Sequence, residues 1–433
     1  MTNAKILLEP PSELDKGKKA GLPRALVSDQ LERCIKQIVN REGVVQAWEH
    51  LDFGKARRWA AELDLRTDEF PLRGIIAGVK DIFDTDDMPT GCGSPIYKGR
   101  LPSFDAASVS LLRANGAVIL GKTVSTEFAC SLPSRTRNPT NSAFSAGGSS
   151  SGSAAAVGAG MVDIALGTQT LGSVIRPASF CGVVGFKPSF GRISRAGVFS
   201  LSSSLDTVGV LGKDVDVIRR VYEALSGDLG EGSRGHSSYP PRIAIATGSF
   251  VNKATTDAAA AIDVYHRQLR TRGYDLEEIE LGDDFEQIGS AARIVHDFEV
   301  GQRFVSEGRS RWCDLSPNMH GILDRAKRIP VSCYEDAVLV GEAARVKYSA
   351  MLARHDGLIT LAALGEAPFG NASTGDPAFN TPWTFLHVPC ISLPLLRGAR
   401  GLPIGVQIVG TRFGDKSVLD VARHLESSAD ITL

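Results

Sequence analysis

Nothing in this 433-residue sequence pairs its cysteines, tips its charge or stays apolar for long, and each absence removes a class of function. The seven cysteines, Cys34, Cys92, Cys130, Cys181, Cys313, Cys333 and Cys390, are odd in number and lack CxxC spacing. That argues against a disulfide framework and a zinc site, and sets a reducing, cytoplasmic location as the expectation. Forty-eight basic against 49 acidic residues leave a formal net charge of -1. With no long run of one sign, neither nucleic acid nor a membrane surface is expected as a partner through bulk charge. Asp163 and several glycines break the longest apolar stretch well short of a membrane span. The opening MTNAKILLEPPSELDKGKK lacks the apolar core and small-residue cleavage site of a secretory signal.

What remains is a chain with 43% apolar residues, enough for a sizeable core. It is longer than one average domain, yet within reach of a large α/β enzyme folding as one unit. Residues 28–65 read as a helical preface: Leu31, Ile35 and Ile38 share one face, and Ser28 or Asp29 stands where a cap belongs. Over 71–215 short apolar runs (GIIAGVKDIFD, GAVILGKT, VDIALGTQT, CGVVGFKP) alternate with helix-like SVSLLRANG and SAAAVGAGM. This predicts buried strands of an α/β sheet. Residues 225–360 are more charged and helical, with one clear strand in RIAIATG, and strand-like runs return over 357–425 in DGLITLAAL, PCISLPLL and LPIGVQIVG. The return predicts one interleaved domain over 1–433 rather than two in series. The polar GDLGEGSRGHSSYPP at 227–241 reads as a surface loop.

Two short motifs mislead. GAVILGKT at 116–123 satisfies GxxxxGK[ST], but a phosphate cradle needs a flexible loop after a strand, whereas Ala117, Val118, Ile119 and Leu120 are themselves strand-like. A helix ending at Asn115-Gly116 followed by a buried strand is expected instead. GSSSG at 148–152 satisfies the nucleophile-elbow pattern around Ser150, yet the preceding NPTNSAFSA is polar loop rather than strand. The glycine-serine stretch over 147–176 also contains no histidine. His296, His320, His355 and His387 lie far downstream, and nothing in the sequence pairs them with Ser150.

A longer pattern fits better. GGSSSGSAAAVGAGMVDIALGTQTLGSVIRPASFCGVVGFKPSFGRIS closely resembles the signature of the amidase signature family of serine hydrolases. The resemblance extends to PLRGIIAGVKDIFDTDDMPTGCGSP, GKTVSTEFA, DTVGVLGKDVDV and PCISLPLL…GLPIGVQIVG, leaving only about 225–350 without recognisable motifs. It implies a single-domain α/β amidase signature fold, a central mixed twisted sheet covered by helices on both faces. It further implies cleavage of a C–N amide bond in a small-molecule amide or carbamate, no cofactor or metal, and a homodimer. The implied triad is serine, serine in a cis peptide, and lysine. Carried over, the nucleophile matches Ser173 in TLGSVIR, the bridging serine Ser149 in GGSSSGS, and the lysine Lys80 in GVKD. Ser150 is then left with no proton to move.

These residue types suit the chemistry. A serine hydroxyl attacks only once a neighbour takes its proton, and lysine does so only when neutral. Apolar Ile75, Ile76, Val79 and Ile82 around Lys80 predict a desolvated amine, because burial disfavours the ammonium. A hydroxyl at Ser149 donates and accepts at once, as a relay must. The resemblance puts the oxyanion donors on the backbone of Thr170, Leu171, Gly172 and Ser173. Leu171 departs from the glycine commoner there, which puts bulk beside the nucleophile.

TQTLGSVIRPA, with Arg176 three residues after Ser173, and GDPAFNTPWTFLHVPC at 375–390 resemble the malonamidase branch, in which the matching arginine binds a substrate carboxylate. A guanidinium grips a carboxylate through two bonds, so Arg176 would select acid amides. Equally open is a structural tie from Arg176 to Asp206 or Glu127. Leu171, Cys92, Cys130, Leu132 and Phe144 would make a more apolar pocket, suited to aryl amides or carbamates. Readings of another class are a catalytically inactive scaffold and one component of a multi-chain amidotransferase.

Overall fold

The computed structural model describes residues 25–228 and 241–428. Its centre follows from strands that are apolar on consecutive residues, as strands covered on both faces must be. β1 (Trp48–Leu51) lies between α1 (Val27–Val45) and α2 (Phe53–Leu65). β2 (Ile76–Lys80) precedes α3 (Ala107–Ala114), β3 (Val118–Thr123), α4 (Ser151–Gly158) and β4 (Ile164–Gln169). Next come α5 (Ile175–Cys181), β5 (Val184–Lys187), β6 (Thr207–Gly212) and α6 (Val215–Ser226). β7 (Ile243–Thr247), α7 (Thr256–Thr271) and β8 (Leu276–Glu280) form one parallel crossover unit. The helices α8 (Asp283–Arg303), α9 (Val305–Ser310), α10 (Pro317–Ala326) and α11 (Val331–Met351) lead to β9 (Gly357–Leu361). α12 (Thr381–Phe385), β10 (Cys390–Arg397), β11 (Pro403–Val409) and α13 (Asp415–Ser427) complete the described chain.

The strands form one 11-stranded sheet in the order β1-β3-β2-β4-β6-β5-β10-β11-β9-β7-β8. It is mixed: β2 runs parallel to both β3 and β4, while β4–β6, β5–β6 and β10–β11 are antiparallel. Side chains alternate between two cores, because successive strand residues point to opposite faces. Ile76, Val118, Leu120 and Ala165 pack with α1, α2 and α4 on one face. Their neighbours Ala77, Val79, Ile119 and Leu166 join the larger core that α3, α6 and α8 cover on the other. Strands from both ends of the chain thus share a single-domain α/β sheet, as the returning apolar runs imply. No described helix is long and apolar enough to cross a membrane.

Two elements differ from the sequence reading. The helical preface contains β1, which pairs antiparallel with β3 and closes one edge of the sheet; four residues are too few to interrupt a helical periodicity visibly. β8 forms the opposite edge with the sequence LEEIE, largely exposed and bonded only to β7. An edge strand with a solvated face carries no apolar run for a reader to find. GAVILGKT, by contrast, is α3's C-cap at Asn115 followed by β3, with all six strand residues buried. The proposed loop at 227–241 lies mostly outside the described residues.

β2 and β4 are parallel neighbours, so their carboxyl ends, Lys80 and Gln169, lie at the same edge of the sheet. α4 is pressed against that edge at Gly152, where an added Cβ would sit 2.4 Å from both Ala47 O and Val124 N. Gly152→Ala is expected to destabilise the protein by roughly 1–3 kcal/mol through overpacking. Gly289→Ala on α8, where a Cβ meets nothing within 4 Å, should be neutral or stabilising by up to about 1 kcal/mol. Urea unfolding of the two variants beside wild type reads both outcomes.

Candidate active site

Lys80 ends β2 with no exposed surface. Its Nζ lies 2.8 Å from Ser149 Oγ, 3.1 Å from Ser150 Oγ and 3.1 Å from Thr168 Oγ1. No carboxylate forms an ion pair with it among the described residues. Burial pulls its pKa down from 10.5 to about 7, against smaller upward influences from Asp206 and Cys130. An amine in that range exchanges its proton near neutral pH, as a general base requires.

Ser149 and Ser150 precede α4, and the Gly148–Ser149 peptide bond is cis. Ser150 is more than a spacer: besides Lys80, its hydroxyl donates to Thr168 O at 3.2 Å and accepts from Thr168 N at 3.3 Å. It therefore ties α4's start to β4, a positioning role that the sequence reading did not assign. Thr168, which that reading passed over, gives Lys80 its third oxygen; it falls on the strand that carries the signature toward Ser173. None of the four downstream histidines bonds Ser150 among the described residues: His387 bonds Ser204 O, His320 Trp312 O, His355 Glu277 and His296 Asp297.

Beyond β4 the chain turns through Thr170, Leu171, Gly172 and Ser173 before α5 begins. None of their N–H groups finds an acceptor among the described residues. The next two, of Val174 and Ile175, are both taken by Gln169 Oε1 at 3.0 Å. Unpaired donors beside a cavity are what a developing oxyanion would need. The turn is held from behind by buried Asp206, which accepts from Thr170 Oγ1 at 2.6 Å and from the backbone of Leu201 and Ser202. Burial raises the Asp206 pKa, opposed by those same bonds. Gly172 is closely packed: a Cβ there would lie 2.6 Å from Asn380 Oδ1 and 2.9 Å from Arg176 Nη1, so both side chains would have to shift. Leu171 does not occupy the left-handed region, so the departure from glycine adds bulk without backbone strain.

Ser173, Leu171, Gly172 and Thr170 line a cavity of about 500 Å³ together with Arg176 and Cys130. Ser173 Oγ makes no hydrogen bond among the described residues, so the Ser149–Ser173 step is open. Catalytic hydrogen bonds are often long before substrate binds. Arg176 is buried and donates from Nε to Thr374 O at 2.7 Å and from Nη2 to Gly148 O at 2.8 Å. It pairs with neither Asp206 nor Glu127, which corrects that alternative. Its Nη1 is buried without a partner. Burial lowers its pKa to about 10, opposed by Asp376. Leu132 is more than a third exposed and lies off the cavity wall; Cys92 belongs to the main core and Phe144 to a separate small cluster with Phe180. The apolar part of the wall is thus Leu171, Cys130, Leu201 and Ile322, with Ala129 and Pro377.

Comparison with known proteins shows the family and the fold. The family model described as Amidase matches residues 29–302. A glutamyl-tRNA(Gln) amidotransferase chain of Bacillus licheniformis, one of that enzyme's subunits, is 30% identical over 457 residues, covering 93% of this chain and 94% of its own. The AtzE subunit of 1-carboxybiuret hydrolase from Pseudomonas sp. (strain ADP) is 31% identical, covering 94% and 96%. A crystal structure of an amidase superposes with a TM-score of 0.85 at 27% identity, covering 93% and 96%.

The buried amine makes a thermodynamic prediction. A lysine with a depressed folded-state pKa binds fewer protons folded than unfolded between about 7 and its ordinary 10.5. Folding stability therefore rises with pH across that window. Lys80→Met removes the dependence, so the stability of the variant relative to wild type should fall by roughly 1 kcal/mol per pH unit as pH is raised from 7 to 10. Guanidinium unfolding at several pH values measures it, and a flat difference would mean that Lys80 is not depressed.

Proposed function

The chain belongs to the amidase family, as an amidase-signature enzyme acting on C–N amide bonds, and from that premise we propose that it hydrolyses an acid amide through an acyl-enzyme on Ser173. The observation that carries this reading is the enclosed Lys80 amine, 2.8 Å from Ser149 Oγ and held near neutrality by burial. Lys80 takes a proton from Ser149 as Ser149 takes one from Ser173, and Ser173 Oγ attacks the amide carbon. The oxyanion receives hydrogen bonds from the free N–H groups of the 170–173 turn. The relay then runs backwards: Ser149 protonates the leaving nitrogen and recovers its proton from Lys80. Water repeats the sequence on the ester and releases the acid. A serine hydroxyl can pass a proton without changing its own charge, which suits a site with little solvent.

The acid-amide part rests on Arg176. Two of its nitrogens are tied to backbone carbonyls and hold the Ser149 and 373–377 loops together, while the third, Nη1, is buried and unpaired beside Gly172. An unmet guanidinium hydrogen bond in a closed site is costly unless a ligand oxygen meets it. A substrate carboxylate does so, in line with the malonamidase-like motif around Arg176. Aryl amides and carbamates suit the wall less well, since three of the five apolar residues expected there lie elsewhere.

A second reading has support from the relatives, two of which are named as subunits: the chain would then supply acyl transfer within a larger complex. Amide hydrolysis by the purified chain alone decides against dependence on such a partner.

Ser173→Ala should lower hydrolysis by at least about 10³-fold, the scale on which removing a serine nucleophile acts. Arg176→Ala should cost about 10–100-fold more in kcat/KM on malonamate than on propionamide, the worth of one charge-assisted bond, beyond any loss common to both from the loops it ties. Arg176→Lys, which keeps the charge but loses the fork, should fall between. Equal losses on both substrates would reduce Arg176 to a structural tie.

A further inference from the structure

The stretch without signature motifs supplies another wall of the catalytic cavity. Arg293, His296 and Asp297 occupy α8 at positions i, i+3 and i+4, which places them on one face of the helix. All three line the same 500 Å³ cavity as Ser173 and Arg176, joined by Arg325 of α10. Their charges are largely matched. Arg325 Nε donates to Asp297 Oδ2 at 2.6 Å, and Arg293 lies 3.7 Å from Asp376 Oδ1.

His296 is the unusual member. Its Nδ1 lies 2.9 Å from Asp297 Oδ1, and both residues are more than nine-tenths buried. A carboxylate only accepts, so Nδ1 carries a proton, and in its neutral form the ring presents Nε2 as a hydrogen-bond acceptor. Nε2 has no partner among the described residues, and it is not among the polar atoms sealed from solvent. A packed, oriented imidazole acceptor therefore borders the cavity that holds a packed, unpaired guanidinium donor, Arg176 Nη1.

Size points the same way. A three-carbon acid amide losing only ammonia would leave most of 500 Å³ empty, since cavities of roughly 300–1,000 Å³ enclose far larger ligands. The unfilled part belongs to whatever the leaving nitrogen carries.

We propose that the natural substrate is an N-substituted amide whose leaving amine bears an N–H donor beyond the scissile nitrogen, received by His296 Nε2. Asp297 and Arg325 are positioning residues that hold the ring tautomer. This rests on Ser173 as the nucleophile. No proton changes owner at His296: the C–N bond breaks, the Ser173 ester forms, and the proton of Ser173 leaves on the amine through Ser149.

The test uses the full chain and six probes: propionamide and malonamate, the propionyl and malonyl amides of glycinamide, and the same two with the terminal amide N,N-dimethylated. Wild type should favour the glycinamide probes over both the primary amides and the dimethylated probes by about 5–10-fold in kcat/KM, the worth of one neutral hydrogen bond. His296→Ala should abolish the discrimination between glycinamide and its dimethyl form while leaving primary-amide hydrolysis within about 2-fold, a margin well inside one such bond. His296→Phe, which keeps the ring's bulk, should do the same, and Asp297→Asn should weaken it. A purely structural strut between α8 and α10 would instead lower all six rates together. That result, or a wild type indifferent to the terminal N–H groups, overturns the proposal. The underlying reading fails separately: it is lost if Ser173→Ala retains activity, and its acid preference is lost if Arg176→Ala does not separate malonyl from propionyl probes.

Discussion

An amine enclosed by hydroxyls alone is the constraint around which the rest of this structure is arranged. Three of the described lysines are buried in the sheet's core, and their surroundings differ. Lys122 keeps a carboxylate, Asp81, at 3.3 Å, and Lys187 donates to the carbonyls of Pro188 and Val388. Among the described residues Lys80 bonds only Ser149, Ser150 and Thr168. A carboxylate would stabilise the ammonium and keep it protonated; three hydroxyls satisfy hydrogen bonding without supplying charge. The same environment that makes Lys80 expensive to bury charged makes it usable as a base.

Holding that environment takes elements distant in sequence. β2 brings Lys80 and β4 brings Thr168 to one sheet edge, α4's start delivers Ser149 and Ser150, and the turn after β4 carries Ser173. Arg176 then clasps the loops on either side through Gly148 O and Thr374 O. The tolerance is small: Gly152 and Gly172 each lie where a single added carbon would collide with neighbouring atoms. In the proposed reading, specificity would come from other places, from Arg176 within the signature and from the α8 face outside it. One scaffold for bond breaking can in this way be matched to different leaving groups by changing the segment that carries least signature.

Much of the fold was legible because buried strands announce themselves as apolar runs, and because the runs at 357–425 could only complete a sheet already begun. β1 and β8 were missed for the opposite reason, one too short to break a helical pattern and the other a polar edge. At the site, Lys80, Ser149 and Ser173 stand in a long ordered motif. Thr168 and Asp206 lie within the same motifs, in IALGTQT and DTVGVLGKDVDV, but a threonine on a strand and a single aspartate show no role until folding buries them. Leu132 and Phe144 were assigned to the pocket on apolarity alone, which cannot tell a cavity wall from a surface or a separate cluster. His296 could not be paired with the site from sequence, since its Asp297 partner is adjacent but its cavity is completed by residues as distant as Cys130 and Ser173.

The central claim is that Lys80 is neutral for much of the population near pH 7. Isotope-labelled lysine NMR, with Lys80→Met to assign the signal, follows the amine directly through a pH titration. The account predicts a lysine resonance absent from the variant that titrates with a midpoint near 7. A Lys80 resonance that stays in the ammonium position up to pH 10 would contradict it.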